Sequence, residues 1–172
     1  IAAIRSTWAK RCDGHLVIST RDEPDISAAG VPHKGKEEYN NIWQKIRAGW
    51  AYVARNYLNS FDWFYIGGDD VFLIVENLKT YLASDEIVEA SKAGTEPMFV
   101  GRRFKLPNGN IFNSGGAGYA LNRAALKLMQ TILPKCRAEI TSFAEDVMMA
   151  ECFRQHAGLL PFETKDAQGR ER

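Results

Sequence analysis

Two adjacent carboxylates, Asp69 and Asp70, follow the apolar run WFYI in the segment DWFYIGGDDVFLIVENLKTYL, residues 62–82. Paired carboxylates that offer only oxygen suit Mg²⁺ or Mn²⁺, cations that such residues share with substrate phosphates, so the pair points to a nucleotide or nucleotide-sugar site. Gly67 and Gly68 lead into it, and their lack of side chains lets a bulky anionic ligand approach the backbone. Taken alone, the pair also suits a plain strand–turn–helix, because Asp is an ordinary turn and N-cap residue.

A third carboxylate with a chemical vocation is Asp146. Ser142 and Glu145 have the S-x-x-E spacing of a capping box, which predicts a helix start there and gives Glu145 a structural job. Asp146 has none, and near a helix N-terminus the macrodipole favours its ionised form, as a general base requires. Gly115, Gly116 and Gly118 around Ala117 either let the backbone approach a sugar or allow tight packing beneath the next helix. Arg102 and Arg103 either meet phosphate or acceptor, or simply decorate an exposed hairpin. His15, His33 and His156 are read as structural or solvated, His156 near a helix C-terminus where an imidazolium is mildly favoured.

These residues need a frame to hold them. The run HLVIST (15–20) predicts a buried strand, and residues 21–34, with two prolines and mixed charge, predict a loop. Tyr39, Ile42, Trp43, Ile46, Trp50, Val53 and Tyr57 recur at three- and four-residue steps, which predicts one long helix over 35–58 with an aromatic core-facing stripe. Residues 62–66 predict a strand and 72–82 a helix, which puts Asp69 and Asp70 on a βα turn, where open α/β sheets hold their ligands. Residues 98–103 predict a strand, Pro107-Asn108-Gly109 a turn, and the chain should return as a strand through Asn113. A helix capped by Asn122 and stopped by Pro134 follows, then the helix through Val147, Met148 and Phe153 towards Gly158.

With 172 residues and 45% hydrophobic content, the chain is long enough for one domain with a sizeable core, and nothing suggests a second. Its 22 basic residues nearly balance 21 acidic ones, so no basic field argues for nucleic acid or an anionic membrane surface. No apolar run approaches the roughly 18 residues of a membrane-spanning helix, and the first residues lack the layout of a signal peptide. Three cysteines, Cys12, Cys136 and Cys152, are an odd count that leaves at least one without an internal partner, and three buried thiols are also consistent with the sequence.

The acidic run resembles the metal-binding aspartate run of the Fringe-like β1,3-glycosyltransferases, most closely its core 1 β1,3-galactosyltransferase branch. TWAKRC (7–12), GRRFK (101–105), NSGGAGYALN (113–122), EDV (145–147) and DAQGRER (166–172) resemble further blocks of that family in the same order, covering nearly the whole chain. The resemblance implies a GT-A-like three-layer α/β/α domain with a mostly parallel sheet, incomplete at both ends. It implies an upstream strand that helps hold uridine, a downstream metal-ligating His, and an N-terminal membrane anchor in the Golgi, all outside these residues.

The implied activity is inverting transfer of galactose from UDP-galactose to O3 of N-acetylgalactosamine on Ser or Thr of a glycoprotein. In that scheme Asp146 is the base, Asp70 binds Mn²⁺ directly, Asp69 supports the loop or contacts the nucleotide, and Gly115 and Gly116 line the donor pocket. Cys136 and Cys152 are implied to form a disulfide, with Cys12 paired outside the chain. Members of the family commonly dimerise, which leaves a homodimer open. Two positions depart from the pattern: Gly68 stands where a third aspartate is frequent, and Ala150 where a glycine is usual. The alternatives are a Fringe-type N-acetylglucosaminyl transfer to O-linked fucose and a non-catalytic, chaperone-like relative.

Overall fold

The computed structural model describes residues 1–170; Glu171 and Arg172, the last two residues of the DAQGRER block, lie outside the described residues. The chain begins with a short helix, α1 (Ala2–Ser6), and a turn that buries Trp8, then enters strand β1 (Val17–Ser19). Strand β2 (Ala28–Gly30) falls inside the stretch expected to be loop and runs parallel to β1, with Val17 opposite Ala28 and Ser19 opposite Gly30. Ala-Ala-Gly carries little strand propensity of its own. Pairing with β1 makes it a strand, so tertiary context overrides the local signal.

Helix α2 (Ile42–Tyr57) is the expected aromatic-striped helix, shorter at its start. The reason is Asn41, almost fully buried, whose amide donates to the Lys34 and Lys36 carbonyls (2.8 Å each) and folds residues 34–41 around itself. Trp43, Trp50 and Ala54 form the buried stripe of α2, while Tyr39 is exposed. Gly49 lets α2 lie against β1, since a Cβ there would sit 3.3 Å from Ile18 Cγ1.

After α2 come β3 (Trp63–Ile66), α3 (Val75–Leu82), α4 (Asp85–Ala90), β4 (Phe99–Gly101), the hairpin β5 (Arg103–Lys105) and β6 (Ile111–Asn113), β7 (Tyr119–Asn122), α5 (Arg123–Ile132) and α6 (Glu145–Ala157). Strand β7, unanticipated from the sequence, is the centre of a three-stranded sheet in the order β3-β7-β4. Both of its pairings are antiparallel, with Ile66 and Gly101 each opposite Tyr119. This corrects the expectation of a mostly parallel sheet: among the described residues only β1 and β2 pair in parallel. Parallel neighbours need a crossover connection that returns the chain to the opposite end of the sheet. Here the β5–β6 hairpin sits at the end where β4 leaves, so the chain re-enters there and β7 must run back.

Alternation along the strands sorts side chains to the two faces. Phe64, Phe99, Tyr119 and Leu121 pack with Trp43 and Trp50 of α2, Leu126 and Met129 of α5, and Met149 and Phe153 of α6. Met98 and Val100 pack with Leu82 of α3 and Ile87 of α4. Asn122 ties the layers together: its side-chain oxygen accepts from the Ala125 and Met98 N–H groups (2.9 Å each), and its amide donates to the Glu96 carbonyl (2.7 Å). It is thus the expected cap of α5 and also an anchor for the entry to β4. Cys136 and Cys152 form a disulfide, as the resemblance implied, and Cys12 is a half-buried free thiol.

Candidate active site

The residues with chemical potential gather at one end of the three-stranded sheet. Strand β3 ends at Ile66 and releases Gly67, Gly68, Asp69 and Asp70; opposite Ile66 stands Tyr119, where the glycine segment 115–118 enters β7. The acidic loop therefore leaves the sheet where the glycine loop arrives. Asp69, Asp70 and Gly116 are exposed, so the site is an open surface. A groove of about 470 Å³ between α2 and α5, lined among others by Arg47, Trp50 and Met129, lies apart from it.

Contacts from distant segments fix the two loops. Tyr65 donates its hydroxyl to the Ala117 carbonyl (2.8 Å), joining the strand beneath the acidic loop to the glycine loop. Burial pushes the Tyr65 phenol up to about 12, so it remains a donor throughout the neutral range. Gly118 has φ +73°, and a Cβ there would stand 2.0 Å from Tyr65 Oη and 2.6 Å from the Ile66 carbonyl oxygen; only glycine fits. From the other side, the Trp8 indole N–H donates to the Val71 carbonyl (3.1 Å), directly after Asp70. Trp8 packs with Ile4, Ala9 and Val75, so the TWAKRC block acts as a brace under the acidic loop.

Gly115 meets the start of α6. Its N–H donates to Asp146 Oδ2 (2.9 Å), while Asp146 Oδ1 accepts from the Val147 N–H (2.8 Å). The structure thus brings together Gly115 and Asp146, two of the expected site residues. Gly116 is the open glycine, where a Cβ would come no closer than 3.7 Å to its nearest neighbour, Ser114 Oγ. The approach to α6 is held by α2: the Trp43 N–H donates to the Ser142 carbonyl (3.0 Å) and the Gln44 amide to the Ile140 carbonyl (2.6 Å).

Glu145 departs from its expected role. Ala144 is the N-cap of α6, and Ser142 Oγ accepts from the Ala144 N–H (3.1 Å), so no capping box forms. The Glu145 side chain turns inward instead. Its Oε2 accepts from the Tyr119 hydroxyl (3.0 Å), which in turn accepts from the Trp50 indole N–H (3.3 Å). Burial first, and then the Asp146 charge, push Glu145 up to about 7, with the Tyr119 hydrogen bond pulling the other way; burial and the neighbouring carboxylates hold the Tyr119 phenol well above its usual range.

The remaining candidates fall outside this cluster. Arg103 is largely buried and pairs with Glu163, while Arg102 is exposed, its guanidinium 5.5 Å from the Phe104 ring centroid. His33 Nε2 bonds Glu37 (2.6 Å), and His15 packs edge-on against Trp8. Among the described residues no three His, Cys, Asp or Glu side chains cluster closely enough to hold a metal by themselves. Asp69 and Asp70 supply hard oxygen donors on an exposed loop, a set that fits a divalent cation completing its shell with diphosphate and water.

The chain is thus a mixed α/β protein whose acidic and glycine loops meet beside a carboxylate at a helix start. No protein-family model matches it. It is 29% identical over 168 residues to glycoprotein-N-acetylgalactosamine 3-beta-galactosyltransferase 1 of Xenopus laevis, across 98% of this chain and 44% of that protein. It is 24% identical to chondroitin sulfate synthase 3 of Mus musculus and of Homo sapiens, each across 91% of this chain and 19% of the relative. The chain therefore spans less than half the length of the curated relatives it matches. It is related to the β1,3-glycosyltransferases, and the likeness runs along nearly all of its length.

Proposed function

We propose that this chain carries the nucleotide-sugar and catalytic residues of an inverting, UDP-sugar-dependent β1,3-glycosyltransferase, within one partial GT-A-like catalytic domain. The observation that carries this reading is that the Asp69–Asp70 loop leaves the sheet at the end where the glycine segment enters, with Gly115 of that segment bonded to Asp146, in a chain related to such enzymes. In the proposed reaction an acceptor hydroxyl attacks the anomeric carbon as UDP leaves from the opposite face, and the hydroxyl proton passes to Asp146. Gly115 orients that carboxylate through its N–H, and a positioned base of this kind contributes about 10²–10⁴-fold. Mn²⁺ would be held by Asp70, with Asp69 supporting the loop, and when bound would neutralise charge growing on the leaving diphosphate. Exposed Gly116 leaves the backbone open to the sugar.

Galactose is the proposed donor sugar and O3 of N-acetylgalactosamine on a glycoprotein the proposed acceptor, in keeping with the first relative's name; UDP-galactose as the donor and the Golgi lumen as the place follow from the motif resemblance alone. No helix among the described residues is long and apolar enough to cross a membrane. The test is calorimetric titration of UDP into the full-length protein with and without Mn²⁺, repeated for Asp70→Ala. Manganese-dependent binding that is lost in the variant supports the site, and a panel of UDP-sugars and acceptors then identifies the reaction. UDP that fails to bind under every metal condition overturns the enzyme reading in favour of a non-catalytic relative.

A further inference from the structure

The proposed chemistry leaves Glu145 unused, although it is the carboxylate most enclosed by the site. A Cβ on Gly115 would stand 2.2 Å from Glu145 Oε1 and 3.4 Å from Asp146 Cβ, so this glycine rests directly on the Glu145 carboxyl. The same glycine donates its N–H to Asp146. Beneath, hydrogen bonds run in one direction from the Trp50 indole through the Tyr119 hydroxyl into Glu145 Oε2. Glu145 therefore has one oxygen fixed by a buried donor and the other pressed against the turn that holds Asp146.

We propose that Glu145 is a positioning residue for sugar transfer: it supports the Gly115 turn against Asp146, and its protonation state sets the charge beside that base. The proposal rests on the reading of Asp146 as the base. The titratable groups facing Glu145 are Tyr119 from β7 and Asp146 from its own helix, while Trp50 from α2 and the Gly115 turn are uncharged. Because burial holds the proton on Glu145 up to about 7, the residue changes charge within the neutral range. Below that range a single negative charge stands at the start of α6. Above it a second carboxylate charge opposes the first, which favours uptake of the hydroxyl proton by Asp146 as the acceptor attacks.

The experiment compares the full-length protein with Glu145→Gln, Tyr119→Phe and Asp146→Asn, reading UDP binding by calorimetry and kcat and KM for transfer across the neutral range. The parent kcat should rise severalfold through about pH 7. Glu145→Gln, which preserves the shape but not the ionisation, should flatten this rise while leaving UDP binding intact. Tyr119→Phe removes a hydrogen bond that favours ionised Glu145, so it should move the rise to higher pH. An unaltered pH profile in Glu145→Gln, or an unshifted one in a folded Tyr119→Phe, overturns the role given to Glu145 alone. Asp146→Asn should bind UDP and fail to transfer sugar; an active Asp146→Asn would instead overturn the base reading, and this inference with it.

Discussion

Gly118→Ala is the substitution that most directly tests how the two loops are joined. Gly118 sits at φ +73°, ψ 166°, a region that only glycine occupies comfortably and that costs an alanine about 1–3 kcal/mol. The added Cβ would overlap Tyr65 Oη at 2.0 Å and the Ile66 carbonyl oxygen at 2.6 Å. The tyrosine can swing away only by giving up its bond to Ala117, worth about 0.5–1.5 kcal/mol, and Ile66 cannot yield because it is paired with Tyr119 in the ladder. Together these two terms predict a loss of about 1.5–4.5 kcal/mol before the carbonyl overlap is counted, a large share of the roughly 5–15 kcal/mol that holds a domain folded. Gly116→Ala, two residues away, meets nothing closer than 3.7 Å and should change stability by no more than about 1 kcal/mol. Urea unfolding of both variants beside the parent measures the difference through the midpoint at constant slope. Equal midpoints for Gly118→Ala and Gly116→Ala would refute the close-approach account of the glycine loop.

Stability should also depend on pH through Glu145. Its folded-state value, about 7, lies above the ordinary 4.5, so the folded protein binds the extra proton and the associated stability is present below about 4.5 and lost as pH rises through about 7. At 1.36 kcal/mol per unit the loss is at most about 3 kcal/mol. Urea midpoints in mildly acidic and mildly alkaline buffer should differ more for the parent than for Glu145→Gln, and equal differences would count against the buried carboxyl. Trp8→Phe keeps an aromatic ring against Ile4 and Val75 but removes the donor to the Val71 carbonyl, a loss of about 1 kcal/mol. Manganese-dependent UDP affinity should then fall while thermal unfolding shifts by only a few degrees, and calorimetry showing parental affinity would exclude the brace role.

What could be read from the sequence was local. The acidic turn between β3 and α3, the hairpin at Pro107-Asn108-Gly109 and the Asn122 cap are each specified by residues within a few positions of one another, and they fold accordingly. Strand β7 was missed because Tyr119-Ala120-Leu121-Asn122 is short and adjoins a helix; its character comes from β3 and β4, far away in sequence. Glu145 failed for a related reason. Its spacing from Ser142 satisfies the capping rule, but Tyr119, 26 residues away, offers a buried donor, and that partner prevails over the local one. At the site, Asp69, Asp70 and Asp146 stand out as candidates from the sequence alone, whereas the supports supplied by Trp8, Tyr65 and Tyr119 depend on contacts between segments. Trp8 lies within the TWAKRC block, yet nothing in its spacing announces a bond to the acidic loop.

Gly68 shows why counting carboxylates is too coarse a way to judge the acidic loop. By resemblance, this position is an aspartate lost. In the fold, a Cβ there would lie 2.6 Å from Asp70 Oδ1, so the space beside the glycine is where the Asp70 carboxylate rests. The Val71 N–H points back to the Gly68 carbonyl (3.4 Å), closing the turn that brings Asp70 over it. Any side chain at residue 68 would have to displace that carboxylate. Because the displaced atom is the free end of a short exposed side chain, the cost to the fold would be small and the effect would fall on where Asp70 points. The glycine therefore both removes one donor and determines the direction of another. If Asp70 holds the cation as proposed, it would do so from the orientation this turn gives it, so metal and UDP affinity should depend on that orientation as well as on the number of carboxylates.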